Sequence, residues 1–291
     1  MNGFLVVDKP SGMTSHDVVN KVRKKLGTKR VGHAGTLDPM ATGVLVIGVG
    51  NATKLMQYIV DGAKSYDATV ALGAATHTDD KEGDLIFSAD PVVVSAITED
   101  QIRSELKKFV GTIMQKPSSV SAIKIDGKAA HQRVRDGEVV DIPAREVTIS
   151  NIAIHTIEHT ENSILLRITV DCSAGTYIRS IARDLGDALK VGGHLTALRR
   201  TLVSPFALDE AASIEDAELI DTAIGIARVL PTRNLDFEEM SEISFGRSVS
   251  VNPGEGIYAA ISPTGGFAAL LENKDSGGKV AAAPKLVAVQ E

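Results

Sequence analysis

Apolar and polar positions follow two rhythms along this chain, one of period two and one near 3.6. Gly3-Phe4-Leu5-Val6-Val7 is an apolar run of strand length, closed by a Lys9-Pro10-Ser11-Gly12 turn. Thr14 or Ser15 can then cap a helix through about Leu26, which Gly27 ends. Thr28 to Thr42 has little periodicity and reads as a loop, and Gly43–Val49 reads as a buried strand. Lys64–Leu72 alternates as a half-buried strand does, and Gly73–Pro91 is polar and acidic, a second loop. A helix is expected over about Glu99–Val110 with Thr98 as its cap, followed by a loop-rich basic region from Gln115 to Gly137. Alternation from Val147 to Cys172, interrupted at Glu161-Asn162, predicts a hairpin whose second arm turns Ile164, Leu166, Ile168, Val170 and Cys172 to one face. Ile178, Ile181, Leu185 and Leu189 recur at helical spacing after the Ser173–Thr176 turn. Past about Leu230 the rhythm changes to short strands, Ile257–Ile261, Phe267–Leu271 and Lys285–Val289, between Gly/Pro turns. About sixty residues of that kind are marginal for independent stability, so this part is expected to dock on the main body.

Composition narrows the classes. With 43% hydrophobic residues among 291, the chain can bury a core. With no Trp and only 7 Phe and 4 Tyr, base stacking must rest on one or two rings. The first residues lack the basic and apolar regions of a signal peptide, and no apolar run reaches the ~20 residues of a membrane span. The single cysteine, Cys172, rules out an internal disulfide and a thiolate metal cage. A cytoplasmic protein is expected. The net charge of −6 hides a segregation: Val18–Val60 carries Lys21, Arg23, Lys24, Lys25, Lys29, Arg30 and Lys54 against one acid, Asp38. That stretch is +6, leaving −12 elsewhere. Such a stripe is the footprint of phosphate contacts, or equally the solvated face of a helix.

Among candidate chemistries, the loop Gly32-His33-Ala34-Gly35-Thr36-Leu37-Asp38-Pro39-Met40-Ala41-Thr42-Gly43 is the most informative. Three glycines and a proline impose a fixed backbone path, and the surrounding cations favour an ionised Asp38, as a nucleophile or general base requires. Asp38-Pro39 is also an ordinary way to open a turn. Gly48-Val49-Gly50-Asn51-Ala52-Thr53 falls short of a dinucleotide fingerprint because Thr53 stands at the third glycine. His155-Thr156-Ile157-Glu158-His159 has the spacing of an inverted zinc-peptidase motif. In the strand predicted there, however, the two histidines lie about 13 Å apart, too far for one zinc. The acidic Asp79–Asp84 stretch lacks the alternation of a calcium loop. No metal or other cofactor is expected. Arg179 opens a helix, where a cation opposes the macrodipole, which points to an anionic partner; an exposed Arg179–Arg183–Asp187 row is the plainer alternative.

Taken together, the ordered motifs resemble the TruB family of tRNA pseudouridine-55 synthases. They are Asp8-Lys9-Pro10-Ser11-Gly12-Met13-Thr14-Ser15, Gly32 through Leu45, Gly50-Asn51-Ala52-Thr53-Lys54 and Lys64-Ser65-Tyr66, then Gln115 through Lys124, Cys172 through Arg179, and Leu198-Arg199-Arg200-Thr201. The resemblance implies an α+β fold with a mixed, mostly antiparallel sheet flanked by helices. It also implies a T-arm-binding insertion and a small C-terminal all-β PUA-like domain, divided here as residues 1–229 and 230–291. It implies isomerisation of uridine 55 in the tRNA T-loop to pseudouridine, without a cofactor, by a monomer. Asp38 takes the place of the catalytic aspartate, Tyr66 that of the tyrosine packed on the target base, and Arg179 that of the arginine paired with the carboxylate. Asp80 belongs to the same polar network, His33 fills the space left by flipped nucleotides, Lys9 and Pro10 line the site, and Leu198 lies near the base. Lys21, Arg23, Lys24, Lys25, Lys29 and Arg30 are the expected RNA-backbone contacts. His77, His131 and Ser204 depart from the family pattern, which puts RNA-contact details and the C-terminal structure in question. A non-catalytic tRNA-binding or folding module is the alternative; it would need the basic surface but not Asp38, Tyr66 and Arg179 together.

Overall fold

The computed structural model describes residues 1–120, 124–125, 128–129 and 142–288. His131 lies outside the described residues. Ten strands form one sheet, ordered from Ile220–Asp221 through Gly3–Lys9, Thr42–Val49, Gly193–Val203, Lys64–Leu72, Ile164–Cys172 and Arg145–His159 to Gly111–Gln115. Val31–His33 pairs alongside Thr42–Val49, and Phe206–Ala207 alongside Gly193–Val203. One contact in this sheet, Thr42–Val49 against Gly193–Val203, is parallel, and the others are antiparallel, so the sheet is mixed and mostly antiparallel.

Local sequence explains the first elements. Thr14 caps the Ser15–Leu26 helix in a reciprocal box with Asp17, and Gly27 ends it at φ 63°, a conformation that costs a residue with a Cβ about 1 kcal/mol or more. Val18, Val19 and Val22 bury one stripe of this helix against Leu5, Val7, Leu45 and Ile47 of the sheet. Thr98 caps Glu99–Lys107 by the same device with Gln101, three residues shorter than the expected helix. Across the sheet, Ile178, Ile181 and Leu185 of the Ile178–Ala188 helix pack on Val70, Leu166 and Ile168.

Four strands depart from the sequence pattern. Val31–His33 is a strand inside the expected loop, and Ala74–Thr76 pairs with Leu85–Ser88 inside the acidic one. Gly193–Val203 was not legible as a strand, yet it runs through the middle of the sheet. Register shifts at Leu195/Ala197 and Arg200/Leu202 break its alternation twice, which erases the period-two signal.

The C-terminal part forms a second sheet, Thr232–Asn234, Ile257–Ile261, Phe267–Ser276 and Lys279–Val287, with the helix Phe237–Ser244 beside it. That helix was absent from the strand pattern. Ala259 and Leu270 of this sheet share one core cluster with Phe4, Val6, Val44 and Val46, so the appendage is docked on the main body as its size requires. No helix among the described residues is long and apolar enough to cross a membrane.

Candidate active site

The Asp38 loop has little structure of its own, and the Asp8–Ser15 segment grips it. Lys9 Nζ donates to the carbonyl of Pro39 (3.2 Å) and to those of Pro10 (3.0 Å) and Met13 (2.5 Å). The Gly12 N–H also donates to the Pro39 carbonyl (2.9 Å), and Ser11 Oγ donates to that of Met40 (3.2 Å). Buried Ser15 accepts from the Leu37 N–H (2.8 Å) and donates to the Leu37 carbonyl (3.2 Å). Asp38 does open a turn, closed by the Ala41 N–H on its carbonyl (3.1 Å), and its side chain is left free to pair elsewhere.

This corrects the reading that Lys9 and Pro10 line the site, since neither borders the cavity described below. Lys9 is 0% exposed, all three of its donors are engaged by carbonyls, and burial lowers its pKa to about 8. It is a clamp on the loop, and the exposed Pro10 lends it a carbonyl. Lys9→Met leaves buried carbonyls unpaired and is expected to destabilise the fold by roughly 2–4 kcal/mol in urea unfolding. An unchanged midpoint would mean that the clamp carries no stability.

Arg179 enters from the opposite side, on the first turn of the Ile178–Ala188 helix. Its fork meets Asp38 twice, Nε to Oδ2 at 2.9 Å and Nη2 to Oδ1 at 3.0 Å. Nη1 donates to the Thr78 carbonyl (2.8 Å) and lies 3.4 Å from Asp80 Oδ2. Arg179 is 5% exposed, so the alternative of a solvated row is overturned. Arg183 likewise pairs with Asp79 (3.2 Å) and Asp184 (2.7 Å), leaving the expected Asp187 contact unmade. Two carboxylates thus answer the cation at this helix N-terminus. Asp80 is itself fixed, its Oδ1 accepting from Thr78 Oγ1 (2.6 Å) and from the Glu82 N–H (3.0 Å).

The Asp38 side chain remains 33% exposed, although its carboxyl sits deep among protein atoms. Burial raises its pKa above the usual carboxylate value; Arg179 pulls it down and Asp80 pushes it up. Gln115 positions the helix start with a two-point amide clamp: its Oε1 accepts from the Tyr177 N–H (2.8 Å) and its Nε2 donates to the Tyr177 carbonyl (3.1 Å).

A cavity of about 320 Å³ opens beside this pair, lined by Leu37, Asp38, Tyr66, Arg179, Leu198 and Arg200 among others. Of the residues expected in the site, Asp38, Tyr66, Arg179 and Leu198 line it, Asp80 is attached through Arg179, and His33 stands outside the lining. His33 ends the short strand Val31–His33, its Nδ1 buried without a hydrogen-bond partner among the described residues and its pKa lowered by burial and by Arg200. A larger hollow of about 620 Å³ shares only Leu198 with this cavity and contains no part of the Asp38–Arg179 pair. Arg200, Lys64 and Gln115 stood in the sequence motifs without an assigned role. The pair Arg199-Arg200 within the motif Leu198-Arg199-Arg200-Thr201 was the available signal for Arg200.

The basic stripe divides in two. Lys21, Lys24 and Lys29 are exposed with no side-chain partner among the described residues, and Arg30 has only a 3.5 Å contact with Asn51. Lys25 is a correction: its ammonium donates to the carbonyls of Ile214 (3.1 Å), Glu215 (2.8 Å) and Ala217 (3.0 Å), which leaves it no donor for phosphate. Arg23 is likewise turned inward, to Asn20 (3.2 Å) and the Val31 carbonyl (3.2 Å). Of the remaining departures, exposed His77 uses its N–H on the Asp84 carbonyl (2.9 Å), and Ser204 uses its own on that of Ala63 (2.9 Å). His155–His159 lies on a strand, as the alternation predicted, with His155 Nε2 at 2.7 Å from Thr169 Oγ1.

The fold has solved counterparts. The archaeal box H/ACA Nop10–Cbf5 complex contains a chain of TM-score 0.69, 23% identical, aligned over 98% of this chain and 85% of that one. An H/ACA particle bound to a substrate RNA containing 2′-deoxyuridine gives TM-score 0.69 at 23% identity, over 98% and 84%. These likenesses show the fold. Residues 23–178 match the model of the TruB family pseudouridylate synthase N-terminal domain. Residues 179–227 match the tRNA pseudouridylate synthase B C-terminal domain, and 230–283 the tRNA pseudouridine synthase II C-terminal domain. The tRNA pseudouridine synthase B of Corynebacterium diphtheriae is 52% identical over 96% of this chain and 94% of its own length. That of Arthrobacter sp. is 47% identical over 96% and 94%. This chain belongs to the TruB family of pseudouridylate synthases.

Proposed function

We propose that this chain converts uridine 55 in the T-loop of tRNA to pseudouridine, with Asp38 as its catalytic carboxylate. The observation that carries this reading is the doubly hydrogen-bonded Asp38–Arg179 pair at a cavity that also holds Tyr66. The reaction breaks N1–C1′, turns the uracil within the site and closes C5–C1′, with loss of the C5 proton. Water takes no part, so one carboxylate serves where a glycosidase uses two. Attack of Asp38 on C1′ and removal of a C2′ proton by Asp38 are both open routes, and both require the ionised form. Arg179 keeps that form available and oriented, and Tyr66 packs against the detached base.

The target nucleotide must leave the T-loop stack, at a cost of a few kcal/mol that backbone contacts offset. Lys21, Lys24, Lys29 and Arg30 supply those contacts in this reading, and His33 fills the vacated space. Residues 1–229 form the catalytic unit and 230–291 the PUA-like unit. The enzyme acts as a cytoplasmic monomer. Replacing Lys21, Lys24 and Lys29 together by Gln is expected to flatten the dependence of log K on log salt by about 2 to 3, with unchanged single-turnover rate at saturation. An unaltered slope would remove the stripe from the interface.

The test of function is positional. Unmodified tRNA incubated with the full chain, treated with carbodiimide and read by primer extension should show one new stop, at uridine 55. It should disappear when the T-loop is mutated. Tight binding without any stop would favour the non-catalytic module.

A further inference from the structure

Arg200 is the largest side chain that the fold buries completely, at 1% exposure. Its Nε donates to the Val44 carbonyl (2.8 Å) and its Nη2 to that of Gly35 (3.1 Å), and no carboxylate hydrogen-bonds it among the described residues. Burying a guanidinium without a counter-charge costs several kcal/mol. Carbonyl partners alone need no charge, so the cation calls for an explanation. Its place supplies one. Arg200 is the cross-strand register partner of Tyr66, and both line the cavity. Facing residues of an antiparallel pair share one side of the sheet.

Lys64 adds a second buried cation to the same wall, its Nζ held by the carbonyls of Val60 (2.6 Å) and Gly62 (2.8 Å). The cavity is therefore lined by the Asp38–Arg179 pair and by two further cations. Gly43 makes the approach possible: at φ 99°, a Cβ on it would stand 2.1 Å from the Arg200 carbonyl oxygen.

Heterolysis of N1–C1′ leaves positive character on the sugar and negative charge on the uracil. We propose that Arg200 is a positioning residue that acts through the Tyr66 phenol, holding its oxygen so that the O–H points at the uracil and stabilises the negative charge of the detached base. No proton is transferred in this step; the electron pair of the broken bond stays on the uracil, and the phenol donates a hydrogen bond to it. Burial raises the phenol pKa although the charge of Arg200 lowers it, so Tyr66 keeps the proton that it donates. The inference rests on the isomerase reading above and adds to it what bears the charge of the base.

The experiment compares two T-arm RNAs, one with uridine and one with 5-fluorouridine at the target, under single-turnover conditions. Loss of the N1-linked nucleoside is followed by digestion and chromatography. Fluorine makes the uracil a better leaving anion that needs less help. Arg200→Gln is expected to slow uridine about 100-fold but 5-fluorouridine less than about 10-fold, with RNA affinity within about threefold of wild type. Arg200→Lys should recover part of the uridine loss. Equal losses on both RNAs, or none, would overturn the proposal. Should both Arg200 variants fail to fold, Tyr66→Phe removes the O–H itself and must show the same inequality; equal losses there overturn it too. If the wild type converts neither RNA, it is the isomerase reading that fails.

Discussion

Asp38→Asn is expected to lower the single-turnover rate by at least about 10⁴-fold while tRNA affinity stays within a few fold. The amide keeps the shape of the carboxylate but can neither add to C1′ nor take a proton. A general loss of structure would not give this split. Burial raises the Asp38 pKa in the folded protein, so its native form holds the proton to higher pH than the unfolded chain does. Its ionisation therefore costs stability above the raised pKa, and the cost vanishes below the ordinary value of about 4. The variant should melt no lower than wild type at pH 7, with any advantage closing as the pH falls. A variant that melts early and loses tRNA binding in parallel would point to a structural carboxylate instead.

Substitution of Arg179 should have the second-largest effect, visible in pH dependence as well as rate. The fork lowers the Asp38 pKa by charge and hydrogen bonding, and the nearby Asp80 raises it. The rate of an enzyme that needs ionised Asp38 falls as pH drops through that raised pKa. Its acid limb therefore lies above the range of a free aspartate. Arg179→Lys keeps one charge but loses the two-point contact at 2.9 and 3.0 Å, and is expected to slow turnover by about 10²-fold and to move the limb to higher pH. Asp80→Asn should move it to lower pH. Arg179→Met leaves Asp38 and Asp80 unpaired and should destabilise by about 3–5 kcal/mol, which makes Lys the informative replacement. Rates from about pH 4.5 to 8 at saturating tRNA test both signs; limbs that coincide would disconnect the pair from the reacting carboxylate.

How far the sequence led depended on whether a feature was local. The Ser15–Leu26 helix was legible at both ends because Thr14, Asp17 and Gly27 act on residues within one turn. The hairpin of Arg145–His159 and Ile164–Cys172 was legible because its second arm keeps strict alternation. The Gly193–Val203 strand was not, because two register shifts and a buried arginine contradict the pattern of a buried strand. In the site, Asp38 and Arg179 were found by motif, yet they lie 141 positions apart, and only the fold joins them. Lys9 was found for the wrong reason. Its motif marks proximity to the site, whereas its contacts with the carbonyls of Pro10 and Met13 on one side and Pro39 on the other show that it ties its own segment to the loop. Lys25 misled in the same way, since a cation count cannot tell an exposed ammonium from one closing on three carbonyls. Arg200 stood in the Leu198–Thr201 motif without a role, because its significance lies in what faces it across the strand pair.

A transcript of tRNA carrying tritium at C5 of its uridines reports the central chemistry directly, since the label leaves only when carbon replaces nitrogen at C1′. The wild-type chain should release one equivalent of tritium per tRNA, and Asp38→Asn only background over the same hours. Release by the Asp38→Asn protein at the wild-type rate would contradict the account.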